Sequence, residues 1–430
     1  MSLRKIVIKD YRSWISSFFF QSFVILIIEW LAFHKIFSFW FFHGWEASWL
    51  MGNTGGIFTL KTLMQSHGFI SALNLMLFGW NPQGWFAMAF LLHFLVTIAL
   101  MIAVGRLSKN RLLGFIAAVI FVATTADHDV ITWGSFESLY AAQTLGFYLM
   151  LLAYLFFRKT QKKIYYLLSF ILFAISAVLR ESGIIFIPLL FLFELIFFQK
   201  TLLKQLKRKE IHKKQILSFI KLQIPFWILA ICYLFLRASY GGSPYDYIDQ
   251  RVQLRILLLH EYRYVEYIWY GLLSFGQFIP PYILPYPILN SLKTAVYSYR
   301  PTPFVNNYFF VVVGWCIYFG FCLVLWLQRK NKYRKYLLFL FLMFSIITFF
   351  YCYAWTADES FLSLLYSWSE NRWRYFAFTA LAPFLTISLF NFSHFLKKRY
   401  KQKMIYGFAA GLLILSVIVN IYYLNKIETQ

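Results

Sequence analysis

The sequence predicts an all-α, polytopic membrane protein of about 11 transmembrane helices, and three observations carry that prediction. Hydrophobic residues make up 60% of the 430 and charged residues only 13%, about half the charged fraction of a soluble chain. The apolar residues fall into runs close to the ~20 that a spanning helix needs. The charges are also sorted, with loops rich in Lys and Arg alternating along the chain with loops that hold Asp and Glu.

The apolar runs lie at 13–33, 85–105, 112–126, 137–157, 164–179, 182–198, 216–236, 304–328, 336–355, 375–396 and 405–424. The third, fifth and sixth are short, so their ends are expected to be covered by protein rather than lipid. Loops 1–12, 106–111, 158–163, 199–215, 329–335 and 397–404 hold 28 of the 41 Lys and Arg. The remaining loops and the C-terminus hold 12 of the 17 acids: Glu46, Asp127, Asp129, Glu181, Asp246, Asp249, Glu261, Glu266, Asp358, Glu359, Glu370 and Glu428. The positive-inside rule turns this sorting into an orientation in the plasma (inner) membrane, with the N-terminus cytoplasmic and the C-terminus extracytoplasmic.

Two extracytoplasmic loops, the first (34–84) and the fourth (237–303), are long, and 57–80 contains stretches suited to helices lying along the interface. Residues 264–288 are apolar enough to suggest a further span, but counting it moves the basic cluster Arg329–Lys335 outside. Glu266 and four prolines in that stretch suit an interfacial or re-entrant segment, read here as lying on the outer surface. The chain is thus one integral membrane domain over 1–430, with the loop 237–303 between residues 1–236 and the C-terminal helices of 304–430.

The net charge of +24 raises the question of nucleic acid. Its placement in short clusters between apolar runs makes it a topology signal instead, and no nucleic-acid partner is expected. Cys232, Cys316, Cys322 and Cys352 all lie inside apolar runs without a close pair or a neighbouring His, so buried thiols are expected rather than disulfides or a zinc site. The sequon Asn391-Phe392-Ser393 falls at the inner end of a span, out of reach of glycosylation. Basic residues 1–12 lead into an apolar run too long for a signal peptide, so the first helix is expected to stay in the membrane.

Carboxylates near hydrocarbon are costly, by roughly 2.5–3.5 kcal/mol at mid-bilayer, and are therefore paired or functional. Asp127-His128-Asp129 offers two carboxylates one residue apart on a turn, a hard-oxygen pair for Mg²⁺ or Mn²⁺ or a base beside a metal; the same pattern suits a solvated turn between two helices. Glu46, in His43-Gly44-Trp45-Glu46, is a carboxylate among apolar neighbours, where desolvation suits it to proton transfer; an ordinary surface glutamate is the plainer reading. Arg180-Glu181 occupies a hairpin, as an ion pair capping two helices or with Arg180 holding a lipid phosphate. Arg372 and Arg374 stand on the acidic side, against the charge rule, which either a bound phosphate or pairing with Glu370, Asp358 or Glu359 offsets. Glu29, inside the first run, and Glu137, at the start of the fourth, either line a cavity or bond neighbouring helices.

The layout resembles the GT-C superfamily of membrane glycosyltransferases, in particular its protein O-mannosyltransferase and aminoarabinose-transferase branch. Three stretches carry the likeness: Gly68-Phe69-Ile70-Ser71 through Leu77-Phe78-Gly79-Trp80-Asn81-Pro82 to Leu92-His93, then Asp127-His128-Asp129-Val130-Ile131-Thr132-Trp133, then Ala177-Val178-Leu179-Arg180-Glu181-Ser182-Gly183. The last looks like the family's "KE" hairpin, and Arg374-Tyr375 at the start of a late span also fits. The likeness covers about the first 200 residues, within a GT-C-like module of 1–236, and the remainder in hydropathy alone. Glu46 stands in a loop where the family usually has Asp, and Arg180 where Lys is common.

The resemblance implies transfer of a sugar from a polyprenyl-phosphate donor to an acceptor hydroxyl on the extracytoplasmic face, with inversion. Glu46 and Asp127 are the implied catalytic carboxylates; Arg180, Arg372 and Arg374 the phosphate contacts; His43, Asp129 and Glu181 the supporting residues; and Asp127 with Asp129 the ligands of a divalent cation if one is used. No Gly-rich phosphate loop occurs, in keeping with a lipid-linked rather than a nucleotide donor. The competing readings are a non-catalytic binder or translocator of lipid-linked sugars, against which the lack of an internal repeat counts, and an O-antigen polymerase or ligase.

Overall fold

A computed structural model describes residues 3–39, 68–122, 130–131, 138–199, 213–240, 260–283, 303–355 and 372–392, with positions 291, 407, 411 and 418. At 3–17, 181, 213–219, 303–307 and 372–373, among others, it describes the backbone alone. Within these residues there are twelve α-helices, three short 3₁₀ turns and no strand. The helices are α1 Leu3–Phe33, α2 Gly68–Phe78, α3 Pro82–Ser108, α4 Arg111–Val122, α5 Ser138–Thr160, α6 Lys163–Leu179, α7 Phe186–Phe197, α8 Lys213–Tyr240, α9 Tyr264–Phe278, α10 Pro303–Leu327, α11 Arg334–Trp355 and α12 Arg372–Phe392.

Among the described residues, six helices are long and apolar enough to cross a membrane: those over Phe18–Ser38, Pro82–Ser108, Ser138–Thr160, Tyr308–Leu327, Arg334–Cys352 and Arg374–Phe392. Shorter apolar helices cover Phe69–Phe78, Arg111–Val122, Lys163–Leu179, Ser182–Phe197 and Ile220–Leu236. At 1.5 Å per residue all but the last, which lies within the 28-residue α8, fall short of a ~30 Å hydrocarbon layer. Ten of the eleven expected runs thus coincide with helices, and the eleventh, 405–424, lies outside the described residues apart from single positions. The short α4 and α7 are deeply packed, as expected; α6 is covered at its Ser176–Leu179 end but shows Ile164, Leu167, Ile171 and Ile175 on an open face.

Bare apolar side chains band the outside, including Phe19, Phe20 and Phe23 on α1, Ile231 and Phe235 on α8, and Val312, Phe319 and Trp326 on α10. Water would not tolerate so continuous an apolar surface, and a lipid environment covers it. Polar side chains inside the helices close their bonds locally, as Thr97 does on the His93 carbonyl and Ser345 on the Phe341 carbonyl. Cys232 and Cys316 are exposed on that surface rather than buried, while Cys322 is intermediate and Cys352 buried.

Hairpins pair α3 with α4 and α5 with α6, and α12 lies between α4, α5 and α11. The α12 window is 78% buried, against 22% for α10, so α12 is the central post and α10 a peripheral one. Tyr148 donates to the Thr379 carbonyl at 3.1 Å, and Phe147 sits between the rings of Phe186 and Phe376. The segment expected on the outer surface is instead half inside: residues 264–270 are mostly open, but Gly271–Phe278 and the following Pro280–Tyr282 turn are buried against α10 and α11. Two glycines allow this. A Cβ on Gly276 would lie 2.7 Å from the Val311 carbonyl, and one on Gly314 would overlap the Gly276 carbonyl, so only bare backbones cross there. The Trp315 indole locks the crossing by donating to the Leu272 carbonyl at 3.1 Å.

At the basic end, Glu194 is fully buried yet saturated. Arg158 meets it at 3.2 Å, Tyr154 donates at 3.0 Å and Gln199 at 2.8 Å. Lys335 donates to the Ile196 carbonyl at 3.0 Å, tying α11 to the end of α7. Asn391 of the sequon donates to Gln328 at 2.8 Å and is itself buried, so its amide is already engaged in a helix contact.

Candidate functional site

The opposite end of the bundle gathers the starts of α3, α5 and α12 with the ends of α1, α4 and α6. The turn into α3 shows how local sequence builds it. Gly79 takes the left-handed conformation (φ 56°) that closes α2, Asn81 caps α3 by accepting from the Gln83 N–H at 3.1 Å, and Pro82 opens the helix. The buried Trp85 indole donates back to the Gly79 carbonyl at 2.9 Å and holds the turn down.

Arg180 terminates α6. Its guanidinium lies 3.9 Å above the Tyr140 ring, and only 4% of the residue is exposed. Gln143 donates to the Arg180 carbonyl at 3.1 Å and accepts from Ser182 at 2.9 Å, so α5 fixes both sides of the hairpin. Gly183 is required there, because a Cβ would come within 2.9 Å of the Ser176 carbonyl. The backbone of Glu181 begins the 3₁₀ turn Glu181–Ile185.

Arg374 lies in the first turn of α12 and is fully buried, with its guanidinium 5.9 Å from the Phe278 ring. The Tyr282 phenol, bonded to Thr348 at 3.5 Å, feels that positive charge. Burial pushes this phenol well above its ordinary range while the Thr348 bond and Arg374 pull the other way, leaving it a neutral hydroxyl. Phe147 touches both Phe186 beyond Arg180 and Phe376 beyond Arg374, which sets both arginines at the same end. Arg372 opens α12, described by backbone alone.

Tyr375, next to Arg374, joins an aromatic cluster with one histidine. His93 Nδ1 and the Tyr375 hydroxyl are 2.9 Å apart, and the imidazole stacks on Phe121 with ring centroids 5.2 Å apart. Glu29 of α1 is fully buried on the face formed by Ile25, Ile28, Ala32 and Phe33, the i, i+3, i+4, i+7 stripe of a packed helix. On α2, Ser71 and Asn74 are buried one turn apart, and the Ser71 hydroxyl and both amide atoms of Asn74 have no hydrogen-bond partner among the described residues. The neighbouring Ile70 packs on Leu139, Ala142 and Leu179, directly before Arg180. Burying an amide without a partner costs about 1–3 kcal/mol, so this face of α2 is held polar against its own stability.

Of the residues singled out in the sequence, the structure brings Arg180 and Arg374 to one end of the bundle. His43, Glu46, Asp127, Asp129 and Glu137 lie outside the described residues, as does the side chain of Glu181. No group of three His, Cys, Asp or Glu able to hold a metal ion occurs among the described residues. Tyr140, Gln143 and Asn74 were not anticipated. Each is a polar group within an apolar run, which is the signal that points to them. Comparison of the chain with models of protein families, with curated proteins and with solved structures finds no match.

Proposed function

We propose that the chain is a GT-C-type glycosyltransferase of the cell membrane that moves a sugar from a polyprenyl-phosphate donor to an acceptor hydroxyl. The full reading has eleven spans, a cytoplasmic N-terminus and the site on the extracytoplasmic face. One observation carries it: Arg180 and Arg374 are withdrawn from solvent at the same bundle end, seated on Tyr140 and beside Phe278. An arginine kept only for anchoring extends its charge to water. Two that stay buried fit a role in receiving an anion, and a guanidinium fork matches phosphate oxygens.

In this mechanism the carboxylate of Glu46 or Asp127 takes the proton of the acceptor hydroxyl. The oxygen attacks the anomeric carbon, the bond from that carbon to the phosphate oxygen breaks, and the configuration inverts. The bonding pair leaves with the polyprenyl phosphate, whose charge Arg180 and Arg374, with Arg372, stabilise. Ser71 and Asn74 supply donors and acceptors of the kind sugar hydroxyls use. A divalent cation held by Asp127 and Asp129 would neutralise part of the phosphate charge.

The deciding experiment measures transfer of labelled sugar from a polyprenyl-phosphate donor in proteoliposomes. Glu46→Gln or Asp127→Asn is expected to abolish transfer with expression intact. Full activity in both variants overturns the assignment. Donor crossing the bilayer with no glycosylated product formed would identify a translocator instead.

A further inference from the structure

Helices α9 and α10 descend side by side in the same direction. Leu273 packs on Val311 and the Gly276 backbone crosses at Gly314, so residue numbers rise together along both. The same order holds against α12, where Phe278 lies 5.9 Å from the Arg374 guanidinium and the Tyr282 ring lies parallel to Phe378 with centroids 6.3 Å apart. It reverses against α11, where Phe275 stacks on Phe349 at 3.8 Å and Tyr282 meets Phe344 at 5.1 Å.

The descent stops partway. Phe344 lies roughly 12 Å inside the Cys352 end of its span, at 1.5 Å per residue, and it sets the depth of Tyr282. Pro280 and Pro281 have no N–H to continue the helix, so α9 ends before them. The Tyr282 N–H instead reaches the Ile279 carbonyl at 3.1 Å, and the Ile283 N–H the Pro280 carbonyl at 3.0 Å. Pro280, Pro281 and Tyr282 are all buried by protein, as irregular backbone at membrane depth must be. Pro303 opens α10 on the side where α9 began, so the chain leaves by the side it entered.

The entering half has another character. Tyr262, Val265 and Trp269 fall on one stripe, three and four residues apart, and are exposed, Val265 at 81% and Trp269 at 52%. Off the stripe, Arg263 Nε donates to Glu266 at 2.9 Å and the guanidinium meets Glu261 at 3.5 Å, which lowers the cost of charge at a bilayer edge. Tyr270 and Tyr308 border the same Leu273–Val311 contact, and the apolar span of α10 begins at Tyr308. The stripe therefore sits just above that span, with Phe309 and Val312 open on α10 below it.

We propose that α9 is a re-entrant helix whose outer half docks into the interfacial layer of the extracytoplasmic leaflet. The partner is lipid rather than another protein chain, because the stripe continues into the lipid-facing side of α10 and because Trp and Tyr favour the headgroup boundary. Re-entry does not depend on the glycosyltransferase reading; only the choice of leaflet rests on the orientation given there.

The test uses the full chain with its four cysteines replaced by alanine. A membrane-impermeant maleimide is applied to intact cells carrying His260→Cys or Ser291→Cys, exposed positions on either side of the segment. Both are expected to label from outside, and permeabilising the cells should add nothing. In proteoliposomes, nitroxides on Val265→Cys and Trp269→Cys should collide with oxygen more than with a water-soluble nickel chelate. They should also lie shallower than one on Phe319→Cys, an open position near the middle of the α10 span. Labelling of His260→Cys and Ser291→Cys from opposite sides makes the segment a crossing helix and overturns the proposal. So do nitroxides shielded from both collision partners, which means a protein contact, or reached mainly by the chelate, which means water. Labelling of both cysteines from inside overturns the leaflet and the orientation while upholding re-entry. A chain that labels as expected but transfers no sugar upholds this proposal and fails the glycosyltransferase reading alone.

Discussion

His93 and Tyr375 lie 282 residues apart in the chain and 2.9 Å apart in the fold, imidazole Nδ1 to phenolic oxygen. This contact joins α3 to the first turn of α12, one residue after the buried Arg374. Tyr375→Phe keeps the ring contacts with Phe121 and removes only the hydroxyl. It should cost about 0.5–1.5 kcal/mol, the range for interhelical bonds in membrane proteins. Thermal unfolding in detergent checks this, and in a double-mutant cycle with His93→Phe the two losses should be markedly less than additive.

Arg180→Lys and Arg374→Lys should each reduce sugar transfer at least tenfold with little change in folded yield. Lysine keeps the charge but loses the planar fork and the stacking on Tyr140 or Phe278. Transfer assays with purified variants at matched folded concentration decide this.

Asn74→Leu should raise stability and lower activity together. Removing a fully buried amide with no partner relieves about 1–3 kcal/mol of desolvation cost. If that amide serves a substrate, the gain comes with a loss of donor affinity, readable as a raised KM. A stabilised variant with unchanged kinetics would remove Asn74 from the site.

Glu194→Ala should be among the most damaging substitutions at the basic end, at about 3 kcal/mol. It strands Arg158 and takes an acceptor from Tyr154 and Gln199. Glu194→Gln should lose less, since the amide still accepts from one donor. Chemical or thermal denaturation in detergent ranks the two.

Gly314→Ala tests the α9–α10 crossing. Its added methyl would overlap the Gly276 carbonyl, so the helices must part, and a loss of about 1–3 kcal/mol is expected. Gly320→Ala on the same helix, where the added carbon meets nothing, is the matched control and should be neutral.

Helix positions were legible because an apolar run in lipid has few ways to satisfy its backbone. The run 164–179 became Lys163–Leu179, and 336–355 became Arg334–Trp355. Which side of a helix meets protein was not legible, since lipid and core are equally apolar. Hence Cys232 and Cys316 proved exposed, and 271–282 proved buried. Arg374 stood out because it breaks the charge rule, and Arg180 because it occupies a hairpin between two apolar runs. Their seats on Tyr140 and beside Phe278 did not, because such contacts join residues tens of positions apart with no local pattern between them.

The central place of α12 also has a meaning for how the protein is made. Synthesis delivers α3, α4 and α5 to the membrane long before residue 372 leaves the ribosome. Until then, Phe121, Phe147 and His93 lack the rings of Tyr375, Phe376 and Phe378 that will cover them. Assembly is therefore completed by nearly the last described element rather than accumulated helix by helix. A chain cut short before α12 would leave an open seam through its middle, a natural mark for membrane quality control.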